Sequence, residues 1–284
     1  MAHDRRTFLR TLGAAAAALA TTGGPESLLA SVVPTEKLGR IGIQLYTVRR
    51  QASADLAGVL EAIAKIGYKE VEFADSYRHT AAEARDMLRQ NGLTAPSTHV
   101  TVEAIQSQPE KTFGDAHTLG VEWLTLRSLP RGNHVTVDDW KHVAVQFNDT
   151  ATKAKAAGFR LAFHNHTDVI AKAGDVVPID ILMQETDPAL VSYELDCYWA
   201  VSGGGDPVTL LGRYPGRFRM LHLKDGAPPF TDASQTDVGR GTIEFAPILA
   251  HAKGIEHYFV ESDSAADPPA FARHSYDYLR NIEF

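Results

Sequence analysis

A formal charge of −7 over 284 residues, with 28 lysines and arginines that never gather into a run, leaves no basic face for a nucleic-acid backbone. The single cysteine, Cys197, excludes an intramolecular disulfide. After the opening segment no apolar stretch approaches the ~20 residues that cross a bilayer, so no membrane partner is expected of the mature chain.

The first elements in chain order are those of an export signal. Arg5 and Arg6 are followed by Phe8, Leu9 and an alanine-rich stretch, in "DRRTFLRTLGAAAAALATTGG". A charged start, a short apolar middle and a small-residue ending are the marks of a secretory leader, and the paired arginines point to the twin-arginine route to the periplasm. "ALA" at 18–20 and "LLA" at 28–30 offer cleavage sites, so residues 1–30 are expected to be signal and linker. An amphipathic helix of the mature domain is the alternative. Because that route carries folded proteins, often with a cofactor inserted, it also hints at a metal.

From residue 38 to 284 short β-branched or apolar runs alternate with longer stretches of helical period, the pattern of parallel βαβ units. Strands are expected at 40–48, 68–74, 94–100, 121–127, 160–166, 191–199, 219–225 and 257–263. Helices are read in "SADLAGVLEAIAKIG", "TAAEARDMLRQNG", "VDDWKHVAVQFNDTATKAKAAG" and "FAPILAHAKG", which end at Gly67, Gly92, Gly158 and Gly254. Glycine there supplies a left-handed cap before the next strand. Eight units in one chain of this size predict an α/β fold, a single-domain (β/α)8 TIM barrel. An open doubly wound sheet is the alternative, but "QLYTVRRQ" lacks the glycine-rich phosphate turn that would follow its first strand. The clusters "SGGGDP", "GAPPF" and "ADPP" fall in loops after strands and shape a pocket without dividing the chain.

Barrel chemistry is built where strands end. Those ends carry Gln44 and Tyr46, Glu72, His99, Arg127, His164 and His166, Glu194 and Asp196, His222, Lys224 and Asp225, and Glu261 and Asp263. Residues two apart on a strand share a face, so His164 and His166 should point the same way, as should Glu194 and Asp196. Each of these has an ordinary structural role when taken alone. His164, Asp196, His222 and Glu261 on four successive strands, however, converge, and charged carboxylates inside a barrel are costly unless paired or metal-bound. Two imidazoles and two carboxylates suit one divalent Mn, Co or Zn ion, with Fe or Ni also fitting, better than Mg or Ca.

The stretches "IGIQLYTVR", "HNH", "ELDCYWAVSGGGDPV", "LHLKD", "VGRGTIEFAPIL" and "HYFVESD" resemble the sugar phosphate isomerase/epimerase family, the xylose-isomerase-like barrels, over nearly all of the mature chain. The resemblance implies a divalent metal held by a Glu on strand five, an Asp on strand six, a His on strand seven and a Glu on strand eight. Asp196, His222 and Glu261 fall on the last three. His164 replaces the strand-five Glu, which in the ketose epimerases pairs with the strand-eight Glu as acid and base. A histidine some of them place beyond the strand-six Asp is here Trp199. The combination of "QLYTVR", "HNH" and "DCYWAVSGGGDP" resembles a branch linked to 3-keto-glycoside breakdown by β-elimination.

The expected activity is therefore metal-dependent enolate chemistry beside a sugar carbonyl, as a lyase of 3-keto-glycosides, a small-molecule substrate. His166, Lys224 and Glu261 are the candidate catalytic groups, and orienting a metal ligand or balancing charge is the alternative for the first two. Glu72, His99, Arg127 and Trp199 are expected to contact the sugar or its leaving group. A sugar isomerase or epimerase using the same metal is the rival enzyme, and a non-catalytic periplasmic sugar-binding protein the rival of another class. DNA repair, by analogy with endonuclease IV of the same barrels, is opposed by the acidic charge. Homo-oligomerisation is left open.

Overall fold

The computed structural model describes residues 36–132 and 134–284. The expected export signal lies outside the described residues. Eight parallel strands close into a barrel: β1 (Gly42–Gln44), β2 (Glu70–Phe73), β3 (Thr94–Val100), β4 (Trp123–Leu126), β5 (Arg160–His164), β6 (Val191–Asp196), β7 (Phe218–Leu223) and β10 (His257–Val260), with β10 hydrogen-bonded to β1. Two short strands, β8 (Asp225–Gly226) and β9 (Gln235–Thr236), form an antiparallel ladder in the loop after β7. Among the described residues no helix is long and apolar enough to cross a membrane.

Helices cover the outside of the barrel, and their ends obey local chemistry. Thr80 and Glu83 close a capping box at the start of helix Ala81–Gln90, and Thr136 and Asp139 do so for Val137–Ala156. Gly67, at a φ of +129°, ends Leu56–Ile66 where the Tyr276 side chain occupies the space a Cβ would need. The helix expected from Ser53 begins at Leu56 and runs to Ile66, because Asp55 caps it through the Gly58 amide, while Ser53 and Ala54 end a preceding helix, Arg49–Ala54.

Strand alternation sorts side chains into an outer shell and an inner stack. Ile43, Val71, Leu124, Leu161, Phe163, Leu195, Leu221 and Val260 are buried against the helices. Inside, Trp123, Ala162, Met220 and Phe259 form a separate apolar layer, the packed floor expected of such a barrel. One step toward the strand ends, two residues along each strand, the inner positions turn polar: Gln44, Glu72, Ser97, Thr125, His164, Glu194 and His222 are all buried. Above them stand His99, Asp196, Lys224 and Glu261.

Most observed strands are shorter than expected at their carboxyl ends. β1 stops at Gln44, whose side chain accepts from the Tyr46 amide and turns the chain into a 3-10 helix, Leu45–Val48. β6 stops at Asp196, which caps helix Cys197–Ser202 through the Trp199 amide. β5 stops at His164, so His166 is not on the strand but begins helix Thr167–Ile170. Each truncation puts a polar side chain at the mouth, where the backbone leaves the ladder.

Candidate metal centre

The ends of β5, β6, β7 and β10 bring His164, Asp196, His222 and Glu261 together, each offering one donor atom within 4.8 Å of the others, all four buried. His222 lies at the centre. Its Nδ1 is 2.9 Å from Glu261 Oε2 and 3.9 Å from Asp196 Oδ2, while its Nε2 is 2.8 Å from Glu72 Oε2 and 3.1 Å from Glu194 Oε2. Burial disfavours the imidazolium, yet Glu194 and Glu261 outweigh it and hold His222 well above the ordinary imidazole range. His164 goes the other way: burial and the His222 charge keep it well below that range.

The donor set fits a divalent cation. Asp196 Oδ2 is buried and lies 3.0 Å from Lys224 Nζ, but takes part in no hydrogen bond. Burial lifts the Asp196 carboxyl to about 6 against the pull of Lys224. An orphaned buried oxygen beside two imidazoles and a second carboxylate is what a metal would satisfy. The carboxylates beneath His222 would orient its ring, as outer partners of metal-binding histidines do.

Lys224 is fully buried with Nζ closed in by three carboxylates, Asp196 at 3.0 Å, Glu261 at 2.7 Å and Asp263 at 2.8 Å. Those anions overcome burial and keep it protonated, so it holds charge and donates rather than acting as a base. Glu261 is correspondingly held as a carboxylate: burial opposes this, but Lys224 and His222 prevail. His166 is exposed, with its ring 4.7 Å from that of His164 and 5.9 Å from that of Trp199, and among the described residues it makes no hydrogen bond. Trp199 lines the same corner, its ring 5.2 Å from Lys224 Nζ.

The other expected contacts are dispersed. Glu72 does not face the open pocket: it is fully buried below the histidines, taking hydrogen bonds from Gln44 at 2.7 Å and Ser97 at 2.5 Å. It lies on β2 as expected but deeper than a strand end, because β2 continues to Phe73 and leaves Glu72 in the middle layer. His99 sits over Glu72 and Glu194, with Nε2 at 3.2 Å and 3.3 Å, and these two carboxylates raise it to about 9 against burial. Arg127 is exposed and bonds the Ala74 carbonyl at 3.4 Å; with His99, His79, Lys111 and Asp115 it lines a cavity of ≈ 580 Å³ reaching from the site between the helices. Tyr46, 40% exposed, lies under the Arg49 guanidinium.

The expected site residues include neither Glu194 nor Asp263, the third carboxylate on Lys224. Glu194 shares the inner face of β6 with Asp196, two residues on, and that spacing was the available signal. Gln235 left no such signal: it arrives from the β8–β9 ladder, donating to Asp263 at 2.9 Å and accepting from Ser262 Oγ at 3.0 Å.

A family model described as a xylose isomerase-like TIM barrel matches residues 60–282. The chain belongs to the xylose isomerase-like TIM-barrel family. Within it, the inosose dehydratase of Geobacillus kaustophilus (strain HTA426) is 25% identical over 259 residues, covering 78% of this chain and 83% of that protein. The solved structure of a sugar phosphate isomerase/epimerase from Parabacteroides distasonis ATCC 8503 is 27% identical, with a TM-score of 0.74 over 87% of this chain and 96% of the other. The IolI protein, solved with a bound zinc atom, shares the fold at 14% identity, with a TM-score of 0.69 over 84% of this chain and 95% of its own.

Proposed function

We propose that this protein is a divalent-metal-dependent lyase that removes the proton beside a sugar ketone and expels the substituent β to it, with 3-keto-glycosides as its substrate class. It is a sugar-modifying enzyme of the carbon–oxygen lyase or isomerase type. The observation that carries the lyase reading is His164 at the end of β5. The resemblance implies a carboxylate there for two-sided proton exchange; a buried imidazole held neutral leaves Glu261 without that partner.

Elimination needs only one base. In a 3-keto-glycoside the C2 proton is acidified by the neighbouring carbonyl. The C2–H bond breaks, the proton passes to the base, a C1–C2 double bond forms, and the C1–O bond breaks with its electrons leaving on the aglycone oxygen. A divalent ion held by His164, Asp196, His222 and Glu261 would supply Lewis-acid stabilisation of the developing enolate charge, worth several kcal/mol. His166 is the base by placement: it stands at the mouth with both ring nitrogens unengaged among the described residues. Lys224, charged and buried beside Glu261, offers a hydrogen bond to the departing oxygen, and Trp199 gives that corner an apolar wall.

The isomerase reading is favoured by one observation, the near-complete overlap with the Parabacteroides structure. A phosphorylated substrate would, however, meet a carboxylate-rich centre whose ammonium is already shared among three anions. Incubating the metal-loaded enzyme with 3-keto-glucosides separates the two: released aglycone means elimination, an isomer of unchanged mass means isomerisation. Activity that survives complete metal removal would overturn the metal-dependent reading. His166→Ala should lower kcat by about 10²-fold, the ordinary contribution of a general base, while leaving bound metal unchanged. As part of the same proposal the protein works in the periplasm after twin-arginine export, which fractionation of cells expressing the full chain and an Arg5→Lys/Arg6→Lys variant would check.

A further inference from the structure

We propose that a second cation position lies beneath the first, formed by His99, His164, Glu194 and His222, and that it takes an ion of the zinc class. These four residues also each offer a donor atom within 4.8 Å of the others. The group concerns metal occupancy and stands whatever reaction the mouth performs.

Its geometry centres on one oxygen. Glu194 Oε2 lies 3.3 Å from His99 Nε2, 3.1 Å from His164 Nδ1 and 3.1 Å from His222 Nε2. Four ligands at zinc's usual bond lengths of roughly 2.0–2.1 Å stand about 3.3 Å apart along the edges of a tetrahedron, so these contacts have the spacing of a ligand shell. Three imidazole nitrogens crowd a single carboxylate oxygen that has two lone pairs, while the other oxygen, Glu194 Oε1, is buried without a hydrogen-bond partner.

His222 serves the two groups through opposite nitrogens, Nδ1 toward Glu261 and Asp196 and Nε2 toward Glu194 and Glu72. Glu72 then stands behind the lower group with both oxygens already bonded, as an orienting residue.

Charge points the same way. With the three ligand imidazoles neutral, as metal binding requires, Glu72, Glu194, Asp196, Glu261 and Asp263 surround one ammonium, Lys224. A single dication leaves two negative charges to be met by protons in a buried space, and a second dication meets them without protons. The upper group has carboxylates and an open mouth. The lower has three imidazoles and one carboxylate, with His99 at its edge lining the cavity beside β3, the four-ligand set of a zinc site.

The test is metal stoichiometry. Tag-free full-length protein, stripped with chelator, is titrated with zinc, passed over a desalting column and assayed by elemental analysis, with cobalt absorption spectra in parallel. Two ions per chain are expected. Glu194→Gln, which keeps shape and removes the charge, should retain one, and Asp196→Asn should also retain one, with different cobalt spectra because different shells survive. One ion in the unmodified protein, lost in Asp196→Asn and kept in Glu194→Gln, would overturn the proposal and show protons balancing the lower carboxylates. Two ions retained in Glu194→Gln would overturn it equally, by placing the second elsewhere. The unmodified stoichiometry decides the matter even if a variant fails to fold.

Discussion

The two ends of the barrel handle charge in opposite ways. At the floor, Arg160 reaches Glu122 at 2.8 Å and both oxygens of Glu256 at 2.7 and 3.0 Å, Arg219 joins Glu256, and His257 meets Glu70 at 2.9 Å. Arg160 also lies 3.7 Å over the Trp123 ring, capping the apolar floor layer. All of these groups but Glu70 are partly exposed, and every carboxylate has a cation, Glu70 through Arg40 at 3.5 Å. At the mouth, carboxylates outnumber the one fixed cation and all but Asp263 are buried. Burying excess charge costs stability, and no fold needs it there; a floor that is neutral and a mouth that is not separates what holds the barrel from what works in it.

The largest difference should come from the mouth. Chelation, or His222→Ala, should abolish activity by at least about 10²-fold, the scale of a lost Lewis acid, while the floor variant Arg160→Met leaves kcat within about twofold. Turnover with each variant at saturating metal measures the contrast. A floor substitution that cost as much activity as a mouth substitution would erase the distinction.

Next in size is the anchor of the loop at the mouth, Asp225. It is fully buried and accepts from the amides of Gly226 at 2.7 Å, Gly239 at 2.9 Å, Gly241 at 2.9 Å and Ile243 at 3.2 Å, pinning the long loop after β7 to the strand. Charge-assisted bonds of this kind are the strong ones. Asp225→Asn replaces an acceptor by a donor facing those amides and should destabilise by about 1–3 kcal/mol, seen as a lower urea midpoint. Activity should fall too, because Lys224 is the preceding residue and Gln235, on that loop, bonds Asp263.

How much of this was legible follows from the same geometry. Alternation of apolar runs and helices gave eight strands in order, because a parallel strand covered by helices must be apolar on its outer face whatever its inner one carries. The four donors on β5, β6, β7 and β10 were readable for the complementary reason, that a polar inner position interrupts such a run. Depth was not readable. Glu72 and Asp196 looked alike as strand-end acids, but β2 ends one residue past Glu72 whereas β6 ends at Asp196 itself, so one is sealed below the histidines and the other lines the mouth. His166 left the strand because Thr167–Ile170 coils immediately after it, a boundary that alternation alone does not mark.

The smallest expected effects lie within the floor, where they sharpen the comparison. Glu256 and Glu122 both bind Arg160, but the Glu256 side chain is 27% exposed and shared with Arg219, whereas that of Glu122 is 56% exposed with Arg160 its one partner in an ion pair among the described residues. Burial, not the mere presence of an ion pair, should set the cost. Glu256→Gln leaves two guanidinium groups facing a neutral amide and is expected to cost about 1 kcal/mol, and Glu122→Gln no more than about 0.5 kcal/mol, the level of an exposed pair screened by water and salt. Urea unfolding of the metal-loaded protein at two salt concentrations measures both. The Glu122 effect should shrink further at high salt while that of Glu256 persists, since screening acts on the exposed pair first. Equal costs would mean that the floor, too, owes its stability to net charge rather than to enclosed, paired geometry.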